Sequence, residues 1–548
     1  MKRIAIVGGG IAGLTAAYQL ARLARDGAQI EAVLFESSNR FGGLIETVRE
    51  GGFTVECGPD AWVSAKPWAR DLAVELGLES ELIPSNDAAR KTHIFLTTPE
   101  NPGGSLVPMP DGMNMMVPTR LAALEGSPLF TPAAIAAYRA EPSRAAELLA
   151  SIPPADESVA DFTLRHFGPE VLARVAAPLL SGVFGGDIRT LSVRAVMPAF
   201  VQMERQHGSL IAALASQPAT GNQLPATSIF TTLRSGLGTL IDRLVAAIPP
   251  HWLRLHSTVT AITPASQQEV AADSRQPDRE SSKPSHRRWS VSTSNAVKQQ
   301  TSESFDAVFL ATPLEATRRL LSPLDAAAAQ LLPAQSSSAV LVASAYTDAR
   351  RFPLPPGFGF LVPPGNSLIS TLSEVERASA LATAVERPPH FALEAPPATT
   401  PPSLLLACTF ADQKFPHRVP PDGRLVRAFF GGAAADRIAR CNNDEIAAIA
   451  RLELARILNA NAPVSGPAPT PAPVPALTVV RRWPNSLPQY SVGHPARVAD
   501  LESRLRALPG LTLLGNALHG VGIPDLIRDA RQAARSSATD NRQPTTSN

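Results

Sequence analysis

The sequence predicts an α/β fold: a Rossmann-like parallel sheet, an α+β unit beside it and a mostly helical insertion. Three observations carry this. A short β-branched run enters a glycine turn and a helix at the N-terminus. Two further buried-type strands, Phe305–Pro313 and Leu511–Asn516, return far along the chain. Before those strands, residues 119–217 are rich in Ala and Leu at helical spacing.

The chain has 548 residues, enough for more than one domain. Its 50 Lys+Arg and 48 Asp+Glu leave a net charge of +2, which argues against a nucleic-acid binder working by phosphate neutralisation. Hydrophobic content of 44% excludes disorder of the whole chain. Cys57, Cys408 and Cys441 are odd in number and far apart, so neither a disulfide scaffold nor a cysteine-ligated metal is expected. The opening MKRIAIVGGG has too short an apolar run for a signal peptide, and no window resembles a spanning helix. These features predict a cytoplasmic protein, with peripheral contact on the inner face of the cell membrane left open.

The first element, Ile4–Val7, suits a buried parallel strand and leads into Gly8, Gly10 and Gly13 of a G-x-G-x-x-G turn. Gly8 permits the tight turn, Gly10 a close backbone approach to pyrophosphate, and Gly13 close helix–sheet packing. The helix from Leu14 then offers free N–H groups and a positive dipole end to phosphate. Ile30–Phe35 reads as the second strand and ends at Glu36, 23 residues after Gly13 and near the spacing for an acid on ribose hydroxyls. Arg40, Gly42 and Gly43 follow, a cation and two small residues beside the expected pyrophosphate.

Residues 53–61 read as a strand ending in a turn, and 68–79 as a helix. Asn101–Pro118 reads as a loop holding Met109, Met113, Met115 and Met116. Those methionines fit either flexible apolar packing or a soft surface facing a membrane or large apolar substrate. Ser228–Phe230 and Leu253–Ile262 read as strands around a helix at Thr239–Ile248. Residues 264–304 are polar and are expected to be largely disordered, with Trp289–Val291 as a returning strand; the tail 536–548 is expected to be frayed. Residues 387–402 and 462–475 read as Pro/Ala-rich loops.

The E-x3-R-x-G-G pattern of Glu36 to Gly43 resembles the flavin fingerprint of the amine-oxidase-like FAD superfamily. Three more stretches resemble one branch of it, the oxygen-dependent protoporphyrinogen/coproporphyrinogen oxidases. They are Pro178–Asp187 with Leu191-Ser192, then Glu204-x3-Gly208-Ser209-Leu210-Ile211, and Gly515-Asn516-x3-Gly520-Val521-Gly522-Ile523-Pro524-Asp525. Trp483-Pro484-x3-Pro488-Gln489-Tyr490-x2-Gly493-His494 also fits. Together the motifs span nearly the whole chain. Leu526 and Ala530 depart from the Cys and Gly frequent in the family.

The resemblance implies FAD as cofactor and no metal. It implies six-electron oxidation of a porphyrinogen, protoporphyrinogen IX first and coproporphyrinogen III as the alternative, with O2 as acceptor in heme biosynthesis. The next heme-pathway enzyme is an implied partner. It also implies that Gly515, Gly520, Val521, Gly522 and Ile523 face the flavin, that Val259 meets adenine through its backbone, and that Lys66, Gly182 and Phe429 contact substrate. His519 lies inside the flavin motif, where a loop histidine is more often structural than a base.

The resulting division assigns 1–60, 227–312 and 480–535 to FAD binding, 61–105 and 313–479 to substrate binding, and 106–226 to a helical domain that could face a membrane. Competing readings are an amine oxidase or carotenoid desaturase on the same fold, and a flavin-binding scaffold without turnover.

Overall fold

The computed structural model describes residues 1–98, 101, 103–216, 228–265, 289–295, 297, 299–363, 404–459 and 473–539. The Lys2–Val7 strand lies at the centre of a five-stranded parallel sheet. Its order across the sheet is Leu253–Arg254, Ile30–Phe35, Lys2–Val7, Ala307–Leu310, Leu511–Leu513. Strands from three distant stretches of sequence thus form one sheet, and their carboxyl ends open onto one crevice, where ligands of such sheets bind.

Both faces are covered, which is why these strands are apolar throughout. Ile4 and Ile6 face helices Ile11–Arg25 and Ile523–Thr539, which pack on each other. Ala5 and Val7 face the opposite layer, built from the antiparallel strands Thr258–Pro264, Trp289–Ser294 and Gln300–Phe305 and from helices Leu314–Leu321 and His494–Leu505.

A second, seven-stranded sheet stands beside the first. Its order is Leu477–Pro488, Ser336–Tyr346, Arg424–Gly431, Ala407–Phe410, Gly359–Leu361, Thr92–Leu96, Ser105–Pro108. One face packs on helix Asn443–Asn459. Against one edge lies a cluster of short helices between Pro132 and Ser216, with its own apolar core. The Glu204-x3-Gly208-Ser209-Leu210 stretch has a structural job there. Buried His166 lies between Glu141 and Glu204, at 2.9 and 3.1 Å, and Glu141 also accepts the Leu210 N–H at 2.7 Å. Burial opposes a charge on His166, but the two carboxylates outweigh it and raise its pKa.

Several elements depart from the sequence reading. Asn101–Pro118 holds strands Ser105–Pro108, Met113–Asn114 and Val117–Pro118, because the first of these finds a free edge beside Thr92–Leu96. Leu253–Ile262 divides at His256, whose φ of 52° turns the chain out of one sheet and into another. Within 264–304, strands Trp289–Ser294 and Gln300–Phe305 pair in register, and Trp289, Val291 and Phe305 bury their side chains; residues 266–288 lie outside the described residues. Residues 387–402 and most of 462–475 lie outside them too, as does the tail beyond 539, while the last helix reaches Thr539. Met116 is fully buried, and Met109, Met113 and Met115 pack against the helical core, so this cluster serves packing. Among the described residues no helix is long and apolar enough to cross a membrane.

At Gly13 a Cβ would collide with the carbonyl oxygen of Gly8, backbone that cannot swing aside. Gly13→Ala is expected to destabilise the fold by about 2 kcal/mol and to lower cofactor content. Thermal unfolding and the bound-flavin absorbance of the purified variant would check it.

Candidate active site

The crevice at the carboxyl ends of the parallel strands is built by the glycine turn and the segment after Glu36. Gly8 holds a φ of 105°, which L side chains rarely adopt, and a Cβ at Gly10 would meet nothing within 4 Å. Open space therefore stands before the amino end of helix Ile11–Arg25. The Glu36 carboxylate accepts N–H groups from Gly9 at 2.7 Å and Ser38 at 2.8 Å, which fixes it at the end of its strand. Val259 lies close by, because Ser257 donates its N–H to the Glu36 carbonyl at 2.8 Å. The strand of Val259 carries a register shift between Val259 and Ala261.

Arg40 does not reach outward. Its guanidinium donates to the carbonyls of Phe41 at 3.2 Å and Ile45 at 3.1 Å, and to that of Gly43. It thereby shapes the loop that presents Gly42 and Gly43. Gly42 donates to the Gly9 carbonyl at 2.8 Å, so the loop lies directly against the glycine turn. Glu46 follows, paired to Arg481 at 2.6 and 2.8 Å and to Arg40 at 3.6 Å. The Arg481 hydrogen bonds hold the Glu46 carboxyl below the usual range.

The loop from Gly515 to Gly522 closes the crevice from the other side. Leu514 donates to the Leu310 carbonyl at 2.8 Å, continuing the sheet into the loop. Buried Tyr490 then organises it: its hydroxyl donates to the Asn516 carbonyl at 2.6 Å and accepts the Gly520 N–H at 3.1 Å. The Tyr490 ring stacks on His494 at 4.0 Å, and His494 Nε2 donates to the Leu518 carbonyl at 2.8 Å. His519 turns away from the crevice, 3.1 Å from Glu502 and 3.5 Å from Asp529. The hydrogen bond with Asp529 raises its pKa. Ile523 and Pro524 open the last helix, and Asp525 and Leu526 donate their N–H groups to the Gly522 carbonyl at 3.0 and 3.2 Å, which ties the helix start to the loop.

Lys66 meets this helix. Its Nζ contacts both oxygens of Asp525, at 2.8 and 2.6 Å, while the lysine side chain remains 47% exposed. Arg528 also reaches Asp525, at 3.3 Å.

The second sheet supplies a floor. Register places Ile94, Leu361, Ala407, Phe429, Leu341 and Arg481 opposite one another across six strands, hence on one face. Phe429 is half-buried in the middle of that row. Gly182 stands beside Leu361 of that row: a Cβ there would come within 3.1 Å of its side chain. The exposed Val183 follows in the same helix. Two motifs distant in sequence meet here. Gln489 donates to the Phe184 carbonyl at 2.9 Å, and Ser192 donates to the Tyr490 carbonyl at 2.7 Å.

The structure thus brings Gly8, Gly10, Gly13, Glu36, Arg40, Gly42, Gly43 and Val259 to one end of the crevice. It brings Gly515, Gly520, Val521, Gly522, Ile523 and Lys66 to the other, and places Gly182 and Phe429 over the second sheet. Residues the sequence reading did not single out are Glu46, Arg481 and Asp525 as ion-pair partners, and Tyr490 and His494 as supports. Asp525, Tyr490 and His494 stood inside quoted motifs; nothing local marked Arg481.

The profile of the flavin containing amine oxidoreductases matches residues 11–536. The chain belongs to that family: it is a flavin-dependent oxidoreductase, and FAD is its cofactor. The coproporphyrinogen III oxidase of Bacillus subtilis (strain 168) is 29% identical over 544 residues, covering 98% of each chain. That of Propionibacterium freudenreichii subsp. freudenreichii is 28% identical, over 97% of this chain and 90% of the relative. A solved structure from Exiguobacterium sp. 255-15, provisionally described as a protoporphyrinogen oxidase, matches with a TM-score of 0.73 at 27% identity, over 98% of this chain and 99% of that one.

The crevice fits FAD. The open space at Gly10, the anchored Glu36 carboxylate and the 41%-exposed Leu44 beside Gly43 offer it a phosphate cradle, a ribose acceptor and an apolar wall. Tyr490→Phe removes the hydroxyl that ties Asn516 to Gly520. About tenfold weaker FAD binding is expected, equivalent to ~1.4 kcal/mol, with unchanged far-UV circular dichroism. Titration of the apoprotein with FAD would measure it.

Proposed function

We propose that this protein oxidises coproporphyrinogen III to coproporphyrin III, with O2 as final acceptor, in heme biosynthesis. The observation that carries this is the near full-length match to two coproporphyrinogen III oxidases. The second reading, protoporphyrinogen IX to protoporphyrin IX, is favoured by the description of the Exiguobacterium structure.

When bound, FAD supplies a hydride acceptor for the bridging carbons of the porphyrinogen. The chain's residues bind and orient. In this reading Gly8, Gly10 and Gly13 present backbone to the pyrophosphate, Glu36 holds ribose hydroxyls and the Val259 backbone meets adenine. Arg40 keeps Gly42 and Gly43 in place. Gly515, Gly520, Val521, Gly522 and Ile523 face the flavin ring. Phe429 is an apolar platform for the macrocycle, and Gly182 leaves room above it. No side chain is assigned as a general base; His519 faces Glu502 and Asp529 instead.

Lys66 binds a substrate propionate. Its exposure allows this, and Arg528 remains to balance Asp525 when Lys66 turns to the substrate. The division into an FAD-binding unit of 1–60, 227–312 and 480–535 is supported by the five parallel strands, all of which fall inside those ranges.

Supplied with each porphyrinogen in air, the FAD-loaded protein is expected to raise porphyrin fluorescence faster with coproporphyrinogen. Lys66→Met is expected to lower kcat/KM about tenfold, mostly through KM, as removal of one carboxylate contact of ~1.4 kcal/mol. Faster oxidation of protoporphyrinogen would favour the second reading. Oxidation of neither, with FAD bound, would overturn both and leave an amine oxidase or a scaffold.

A further inference from the structure

Behind the crevice lies a buried group of charges that the proposed reaction does not yet use. Glu56, Arg418 and Arg427 are 0%, 0% and 2% exposed, and Lys414 is 7% exposed. Lys414 Nζ contacts the two oxygens of Asp60 at 3.1 and 3.2 Å, Arg427 reaches Asp60 at 3.2 Å, and Arg418 reaches Glu56 at 3.4 Å. Three cations therefore face two carboxylates. The surplus also shows in the hydrogen bonds: Nε and Nη1 of Arg418 and Nε of Arg427 are buried without a partner among the described residues. Such groups are costly unless a further negative charge nearby offsets them.

The group sits one peptide layer behind the crevice wall. Arg427 donates to the Gly58 carbonyl. A Cβ at Gly58 would run into the Leu44 carbonyl, and Leu44 follows Gly43, whose own Cβ would lie 3.3 Å from the Gly10 Cα. Arg427 is also two residues from Phe429 on the same strand face, with its guanidinium 5.1 Å from that ring's centroid. The cations thus back the wall shared by the cofactor segment and the substrate floor.

We propose that the Lys414–Arg418–Arg427 cluster is an electrostatic positioning device that favours the reduced, negatively charged form of bound FAD. In each turn a C–H bond of the substrate breaks with its electron pair. The hydride passes to the flavin ring, which gains one hydrogen and one negative charge, and an N–H proton leaves the substrate for water. O2 later removes two electrons; with two protons it becomes hydrogen peroxide. The net positive charge in a low-dielectric interior stabilises the ring's negative charge between these two steps and is already oriented when it appears. Burial pushes Glu56 up, against the pull of Arg418, which adds to the surplus. Burial would push Asp60 up too, but Lys414, Arg427 and Arg418 outweigh it and hold it well below the usual carboxylate range.

This inference deepens the flavoenzyme reading and rests on FAD occupying the crevice, but not on the identity of the substrate. Its test is the midpoint potential of FAD bound to the full chain, measured by anaerobic reduction against a reference dye. The wild-type value is expected above that of free FAD in the same buffer. Arg427→Gln and Lys414→Met are each expected to shift the reduction equilibrium about tenfold toward oxidised flavin, ~30 mV for a two-electron couple. Asp60→Asn is expected to shift it the other way. The double variant Asp60→Asn/Lys414→Met, which keeps the net charge, is expected to stay within about twofold of wild type. A purely structural role would not make the sign follow the charge removed. A wild-type potential at or below that of free FAD would overturn the proposal, as would shifts of one sign in all single variants. If a variant loses FAD, the wild-type comparison still decides. If the potentials follow charge while neither porphyrinogen is oxidised, the substrate reading fails and this one stands.

Discussion

The Gly58 peptide is the point on which the active site turns. On one side its α-carbon lies against the Leu44 carbonyl, closely enough that no side chain fits. On the other side its carbonyl is gripped by Arg427 from the second sheet. This one peptide therefore sets the distance between the glycine-lined crevice and the Phe429 floor. The half-buried Asp60 that follows cannot move without leaving Lys414 and Arg427 unpaired, at a cost of about 3–5 kcal/mol. A parallel sheet and a mixed sheet, each with its own core, are joined into one site by a seam of charge, beside which Phe53, Val55 and Cys57 pack on Ala343, Ala345 and Leu425 of the second sheet.

The same logic explains why motifs hundreds of residues apart occur together. Tyr490 holds the Gly515–Gly520 loop, its own carbonyl accepts from Ser192, and its neighbour Gln489 clasps the helix end that carries Gly182. At Gly186 a Cβ would collide with the Gln489 side chain. The Gly515–Gly520 loop and the helix that carries Gly182 are thus positioned by one strand end, so a shift in either moves the other.

Much of the nucleotide end was legible in the sequence because its chemistry is local. A β-branched run, a glycine turn and an acid at the next strand's end specify the crevice within the first forty residues, and the strands at Phe305–Pro313 and Leu511–Asn516 announce themselves by continuous apolar character. The substrate end was less legible. Phe429 and Gly182 came from resemblance, Asp525 stood in a quoted motif without its partner, and Arg481 and Glu46 came from neither route, because their pairing spans more than 400 residues. Lys66 was foreseen as a cation at the mouth, but its bond to Asp525 depends on where the last helix ends up. The polar stretch before Phe305 was legible at its returning strand, Trp289–Val291, but not at the partner strand Gln300–Phe305, in which only Phe305 is buried and the other residues are hydrophilic.

The proposed function requires one crevice, walled by Leu44, Gly58 and the Gly520–Ile523 turn, to hold the flavin ring against a substrate lying on Phe429. A crystal structure of the FAD-loaded protein soaked with coproporphyrin tests this most directly. The ring system is expected between those three segments, the macrocycle between Gly182 and Phe429, and Lys66 turned from Asp525 to a propionate. Flavin in that crevice with porphyrin bound elsewhere, or a ring displaced from the Gly58 wall, would contradict it.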